Sequence, residues 1–131
     1  MSAIYAQIAR ESLARRVISC RHWRWMPGMR WRGTLSQNTG RLGEVFRNSP
    51  GPVGAYLPDL TDPATLGCLL SLVREAAQEP GLHVRCMLPY APDMSGKTPP
   101  PWVLYSGRGQ RWGDRHETEA EALVAALEAA P

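Results

Sequence analysis

The run from Asp59 to Ala77, D-L-T-D-P-A-T-L-G-C-L-L-S-L-V-R-E-A-A, constrains the fold more than any other part of the chain. Asp62 is a natural N-cap, and Pro63 suits the first helical position, where its missing N–H loses no partner. Leu66, Leu69, Leu70 and Val73 follow at i, i+3, i+4 and i+7, with Leu72 flanking, and Pro80-Gly81 stops the helix. An apolar face that wide must be covered, so the spacing predicts a core helix without chemistry of its own.

The remaining elements are arranged around that helix. Residues 3–18 place Ile4, Ile8, Leu13 and Val17 near a four-residue spacing, which predicts an amphipathic helix with Arg10, Arg15 and Arg16 mainly on its wet side. From His22 to Met26 the chain alternates as a strand does. Pro27-Gly28 reads as a turn and Met29–Leu35 as extended again, so a hairpin is expected with Trp23 and Trp25 on one face and His22 and Arg24 on the other. Residues 36–41 read as a turn, Leu42–Arg47 as a short third strand, and Asn48–Pro58, with three Pro and two Gly, as a loop. Leu82–Leu88 alternates with Leu82, Val84, Cys86 and Leu88 inward. A long loop, Pro89–Pro101, precedes a strand at Trp102–Tyr105, and Gly107–His116 reads as a polar turn. Thr118 opens a capping box with Glu121, and Leu123, Val124 and Leu127 form the inner face of a last helix. The order is α-β-β-β-α-β-β-α. It predicts one α+β domain over residues 1–131, an antiparallel sheet of about five strands covered by helices.

Composition narrows the functional class. A chain of 131 residues with 44% hydrophobic and 21% charged residues is ordinary for a soluble globular domain. No apolar run approaches the roughly 18–20 residues a membrane span needs, and the start lacks a basic region followed by an apolar block, so a cytoplasmic protein without membrane association is expected. Cys20, Cys68 and Cys86 lie 48 and 18 residues apart, an odd and widely spaced set that argues against disulfides and zinc knuckles. Cys68 and Cys86 read as small buried hydrophobes. His22, His83 and His116 have no Cys or carboxylate at ligand spacing, so neither a metal nor another cofactor is expected. His116 beside Asp114 and Glu117 reads as a solvated histidine before a general base. Nucleotide-fold, zinc-protease and serine-hydrolase signatures are missing, and the chain is read as non-enzymatic.

One segment is chemically pointed. Residues 21–32, R-H-W-R-W-M-P-G-M-R-W-R, hold four Arg and three Trp. Residues 10–50 carry nine Arg against two Glu, a net of +7, whereas residues 51–131 carry six basic and ten acidic side chains, a net of −4. Such asymmetry steers anionic partners or favours self-association into a homo-oligomer. Fourteen of the fifteen basic residues are Arg, which forks phosphate and carboxylate bidentately, although a GC-rich coding sequence gives the same bias. The candidate ligand-binding residues are Arg24, Arg30 and Arg32 with Trp25 and Trp31. Arg108, Arg111 and Trp112 form a second basic-aromatic group. The competing reading is a sheet whose Trp residues pack under helices while its Arg residues are merely solvated.

The segment W-x-W-M-P-G-M, the helix L-P-D-L-T-D-P-A-T-L-G-C-L-L-S-L-V-R-E-A and the terminal T-E-A-E-A-L-V-A-A-L-E-A-A resemble small phage and prophage proteins of the α/β/α sandwich-like type. The likeness covers residues 22–35, 56–88 and 102–130. The Arg-rich first helix and the 89–101 loop lie outside it. Its motifs are caps and core faces, so it implies a fold and carries over no catalytic residue. For a phage-type protein without catalytic residues it implies action against bacterial immunity by binding. Two routes fit: sequestration of a nucleotide signal, or blockade of a host defence protein as anti-CRISPR proteins achieve, using exposed Trp and Arg. General nucleic-acid binding would use the same residues and is disfavoured by the acidic second half.

Overall fold

The computed structural model describes residues 3–34, 38–43, 55–87, 96 and 99–131. Among them three helices and six strands follow in the order α1 (Ala3–Ile18), β1 (Arg30–Gly33), β2 (Thr39–Arg41), β3 (Tyr56–Pro58), α2 (Pro63–Ala77), β4 (His83–Cys86), β5 (Trp102–Tyr105), β6 (Arg111–His116) and α3 (Glu119–Ala129). The α+β class holds. The single sheet of about five strands does not, because the strands form two three-stranded antiparallel sheets, β2-β1-β3 and β4-β5-β6.

Capping and apolar spacing explain the helices. Asp62 accepts the Thr65 N–H at 3.0 Å and caps α2, and Pro63 opens it. Gln78 ends α2 in the left-handed region at φ +56°, its N–H returning to the Arg74 and Glu75 carbonyls. Thr118 accepts the Glu121 N–H at 3.1 Å and caps α3. Leu123, Val124 and Leu127 face inward as the spacing predicts. Small Ala120, Ala122 and Ala126 lie buried beside them, where α3 meets α2 and the β4-β5-β6 sheet. On α2 the buried row is Thr65, Leu69, Leu72 and Val73, so the stripe is rotated from the expected one and Leu66 and Leu70 are half-buried. With Val17, Met29, Leu82 and Leu104 these residues make one core. Each fully buried Leu or Val contributes roughly 1.5–3 kcal/mol, more than any exposed ion pair on the surface.

Several expected elements differ, for identifiable reasons. Residues 22–26 are not a strand: the Trp23 N–H reaches back to the Cys20 carbonyl at 3.1 Å, so the chain leaves α1 in successive turns. Trp23 and Trp25 still meet, edge to face with centroids 5.5 Å apart, half-buried against the core. The Pro27-Gly28 turn forms, with Gly28 at φ +95°, but it feeds β1 between β2 and β3 instead of folding back on residues 22–26. Thr39–Arg41, expected as turn, and Tyr56–Pro58, expected as loop, supply those neighbours. Of the expected third strand, Leu42 is buried just beyond β2, and residues 44–47 lie outside the described residues, as do Leu88 and most of the 89–101 loop. Arg111–His116, expected as turn, is an edge strand whose apolar signal is confined to Trp112. Cys68 is half-buried and packs against the core, whereas Cys86 is exposed and is not a core residue. On α1 it is Ala14 and Val17 that are buried. Ile4, Tyr5 and Ile8 are 69%, 66% and 57% exposed, because α1 packs on α3 and β3 through its C-terminal half.

One polar chain ties the β1-β2 pair to the start of α2. Arg41 forks Asp62 with Nη1 and Nη2 at 2.9 and 3.0 Å, and Nη1 also reaches the Gly28 carbonyl at 2.7 Å. Asp62 accepts from the Thr65 hydroxyl at 2.9 Å, and that hydroxyl oxygen accepts the Arg30 N–H at 2.8 Å. Every member is satisfied, which allows Asp62 and Thr65 to be buried.

Candidate functional site

The last turn of α1 is closed by Ser19 and Cys20, whose side chains donate to the Arg15 and Arg16 carbonyls at 2.9 and 3.5 Å. The turns that follow present Arg21, His22, Trp23 and Arg24 toward the C-terminal half of α2. Between them lies a cleft of about 450 Å³, whose opposite wall is Leu72, Glu75, Ala76 and Gln78, with Pro131 at its edge. A second depression of about 220 Å³ adjoins it, sharing Arg21 and His22 and reaching Arg16 and Glu128. The cleft falls within the range of small-molecule sites, roughly 300–1,000 Å³.

Its electrostatics are mixed but favour anions. Arg24 Nη2 donates to Glu75 Oε2 at 2.8 Å, and both side chains are more than half exposed, so the pair is weak and open to competition. That hydrogen bond holds the Glu75 carboxyl below its ordinary value, so Glu75 is ionised. His22 Nε2 lies 2.8 Å from the Pro131 carbonyl and 3.3 Å from Arg21 Nε. One ring nitrogen cannot donate and accept at once. The shorter contact needs the proton on Nε2, which leaves Arg21 without an acceptor there and its guanidinium available to the cleft. Trp23, on the wall, has a buried Nε1–H with no hydrogen-bond partner. An unmade buried donor costs about 1–3 kcal/mol.

The eight residues singled out in the sequence are not one surface. Arg24 lines the cleft, and Trp25 stands behind it against Trp23. Arg30 turns the other way, with Nη2 3.3 Å from Thr39 Oγ1 and Nε 3.7 Å from Asp59 Oδ2. Arg32 borders a separate cavity of about 20 Å³ shared with Arg10, Glu11 and Asp59, a volume fit for water only. Trp31 is occupied by packing, edge-on to Tyr56 at 4.9 Å and flat over Gly40. Arg108 and Arg111 are exposed on the β5–β6 turn and β6, while Trp112 faces α3 across a cavity of about 170 Å³. Among the described residues no hydrogen bond, ion pair or ring contact joins the β6 group to the β1 group.

Arg21, His22 and Trp23 were within reach of sequence reasoning, since they stand in the same Arg/Trp run. The two-residue period assigned His22 and Arg24 to one face and Trp23 to the other, and only the turns after α1 bring all of them to one cleft. Comparison of the chain with protein-family models, curated proteins and solved structures returned no match. Among the described residues no three His, Cys, Asp or Glu side chains are grouped to hold a metal ion, and no helix is long and apolar enough to cross a membrane.

Proposed function

We propose that this protein is a non-enzymatic binding protein that captures a nucleotide in the cleft between residues 21–24 and α2. One observation carries the reading: Arg21, Arg24 and the ring of Trp23 line the same cleft of about 450 Å³. A phosphate group is a better partner for Arg24 than the solvated Glu75 carboxylate, because it accepts from both guanidinium edges and from Arg21 together. The half-buried Trp23 ring offers apolar surface to a base. The likeness of the helix and turn motifs to phage proteins gives the capture its biological setting, the removal of a nucleotide signal on which bacterial immunity depends.

Native mass spectrometry of the protein after incubation with a bacterial lysate tests the reading. It predicts a mass increment equal to a nucleotide, absent from Arg24→Ala. A bare mass, or retention of a host protein in place of a small ligand, would overturn it.

A further inference from the structure

The β4-β5-β6 sheet has a second cationic surface that the cleft does not use. Register places His83 opposite Tyr105 and Tyr105 opposite Arg111, so the three side chains form a row across one face. With strands about 4.8 Å apart, the row spans roughly 10 Å. Arg85, two residues along β4, shares that face. Its guanidinium carbon lies 4.7 Å over the Tyr105 ring, and its Nε donates to His83 Nε2 at 3.0 Å. His83 in turn contacts the Gly81 carbonyl through Nδ1 at 3.1 Å, which fixes the tautomer with the proton on Nδ1. Arg85 is therefore held over an aromatic ring, with the side chain exposed. Arg111 is oriented by its Nε donating to the Gly113 carbonyl at 3.0 Å, which leaves its terminal nitrogens outward.

Among the described residues Arg85, Arg108 and Arg111 form no ion pair. Asp114 is the only carboxylate in the three strands, and it lines the cavity on the opposite face, beneath α3. Arg108 extends the surface from a turn fixed by Ser106, whose oxygen accepts the Arg108 and Gln110 N–H groups at 3.3 and 3.2 Å.

We infer that this face binds single-stranded nucleic acid: the acidic excess of residues 51–131 counts against a whole-chain nucleic-acid binder, but Arg85, Arg108 and Arg111 are without an ion pair among the described residues. Stacked guanidinium and aromatic groups take unpaired bases without reading their sequence, and flanking arginines take the phosphates. An acidic peptide would pair with the arginines but would gain nothing from the Arg85–Tyr105 stack. The row across three strands suits an extended strand, whereas the cleft at residues 21–24 admits a monomer.

Fluorescence anisotropy with a labelled 12-nucleotide single strand, at several salt concentrations, tests the assignment. Wild type is expected to bind, with log K falling linearly against log salt. Arg111→Ala should weaken binding and lower the magnitude of that slope by about 0.7, the loss of one phosphate contact on a single strand. Arg85→Ala and Tyr105→Leu should each weaken it roughly tenfold, in the range measured for a lost base stack. Arg24→Ala should leave it unchanged, which keeps this surface distinct from the cleft. All the variants should keep the wild-type circular dichroism, because the altered side chains lie outside the core. Absence of binding at low salt, equal binding of polyglutamate, or loss of binding in Arg24→Ala alone would overturn the inference.

Discussion

Arg41 and Asp62 meet fork to fork, two parallel hydrogen bonds of 2.9 and 3.0 Å across the junction between the β2-β1-β3 sheet and the N-terminus of α2. The carboxylate that caps the helix is thus the one that anchors the sheet. Arg41 is half exposed, but Asp62 is buried and also serves Thr65 twice, so the aspartate is the member the fold depends on.

Asp62→Ala removes the cap, leaves Thr65 without its acceptor and leaves Arg41 only the Gly28 carbonyl. Denaturant unfolding should show a loss on the order of 2–3 kcal/mol. Asp62→Asn, which keeps an acceptor oxygen for the cap, should lose less.

Acid should expose the same pair. Arg41's hydrogen bonds, helped by those from Thr65 and opposed by burial, hold the Asp62 carboxyl far below the usual aspartate range. In the unfolded chain it titrates near pH 3.9. Below about pH 4 the unfolded state therefore takes up a proton that the native state does not, and stability falls as pH drops, while above that value the contribution is complete. Urea midpoints measured from pH 2.5 to 6 should fall more steeply at the acid end in wild type than in Asp62→Asn. Parallel curves would show that the fork is not formed.

Trp31 packs so closely on Gly40 that a Cβ there would stand 2.5 Å from its Cζ2. Gly40→Ala should displace the ring from Tyr56, cost roughly 1–3 kcal/mol by overpacking, and change the near-ultraviolet circular dichroism. A variant as stable as wild type with an unaltered spectrum would show that the ring is loose and free to stack on a ligand.

The thiols should separate by environment. Burial raises the thiol pKa of Cys20 and of Cys68, whereas Cys86 is exposed on β4. A disulfide reagent at pH 8 should modify one thiol quickly and two slowly, and Cys86→Ser should abolish the fast phase. Three equal rates would contradict these placements.

Legibility in the sequence followed how local each determinant is. The caps at Asp62 and Thr118 and the faces of α2 and α3 are set within a few residues, and they were readable apart from a rotation of the α2 stripe toward Leu72. Strands β2, β3 and β6 were not. Thr39–Arg41 and Arg111–His116 are polar, and Tyr56–Pro58 sits in a Pro/Gly-rich run, so their extended state depends on partners remote in sequence. The same limit applied to the candidate site. Alternation in W-R-W implied a strand, but turn hydrogen bonds after α1 gave residues 21–24 a different geometry, and the cleft they form needs α2 as its second wall.

Nucleotide capture at that cleft is tested most directly by isothermal titration calorimetry. AMP, cyclic AMP and cyclic dinucleotides would be titrated into wild type, Arg21→Ala, Arg24→Ala and Arg32→Ala, with inorganic phosphate as the control. At least one nucleotide should bind wild type more tightly than phosphate does. Arg21→Ala and Arg24→Ala should each lose roughly tenfold or more in affinity, the loss expected for one charge-assisted contact, while Arg32→Ala is unaffected. Absence of heat with every nucleotide, or affinity that survives Arg24→Ala and disappears in Arg32→Ala, would contradict the account.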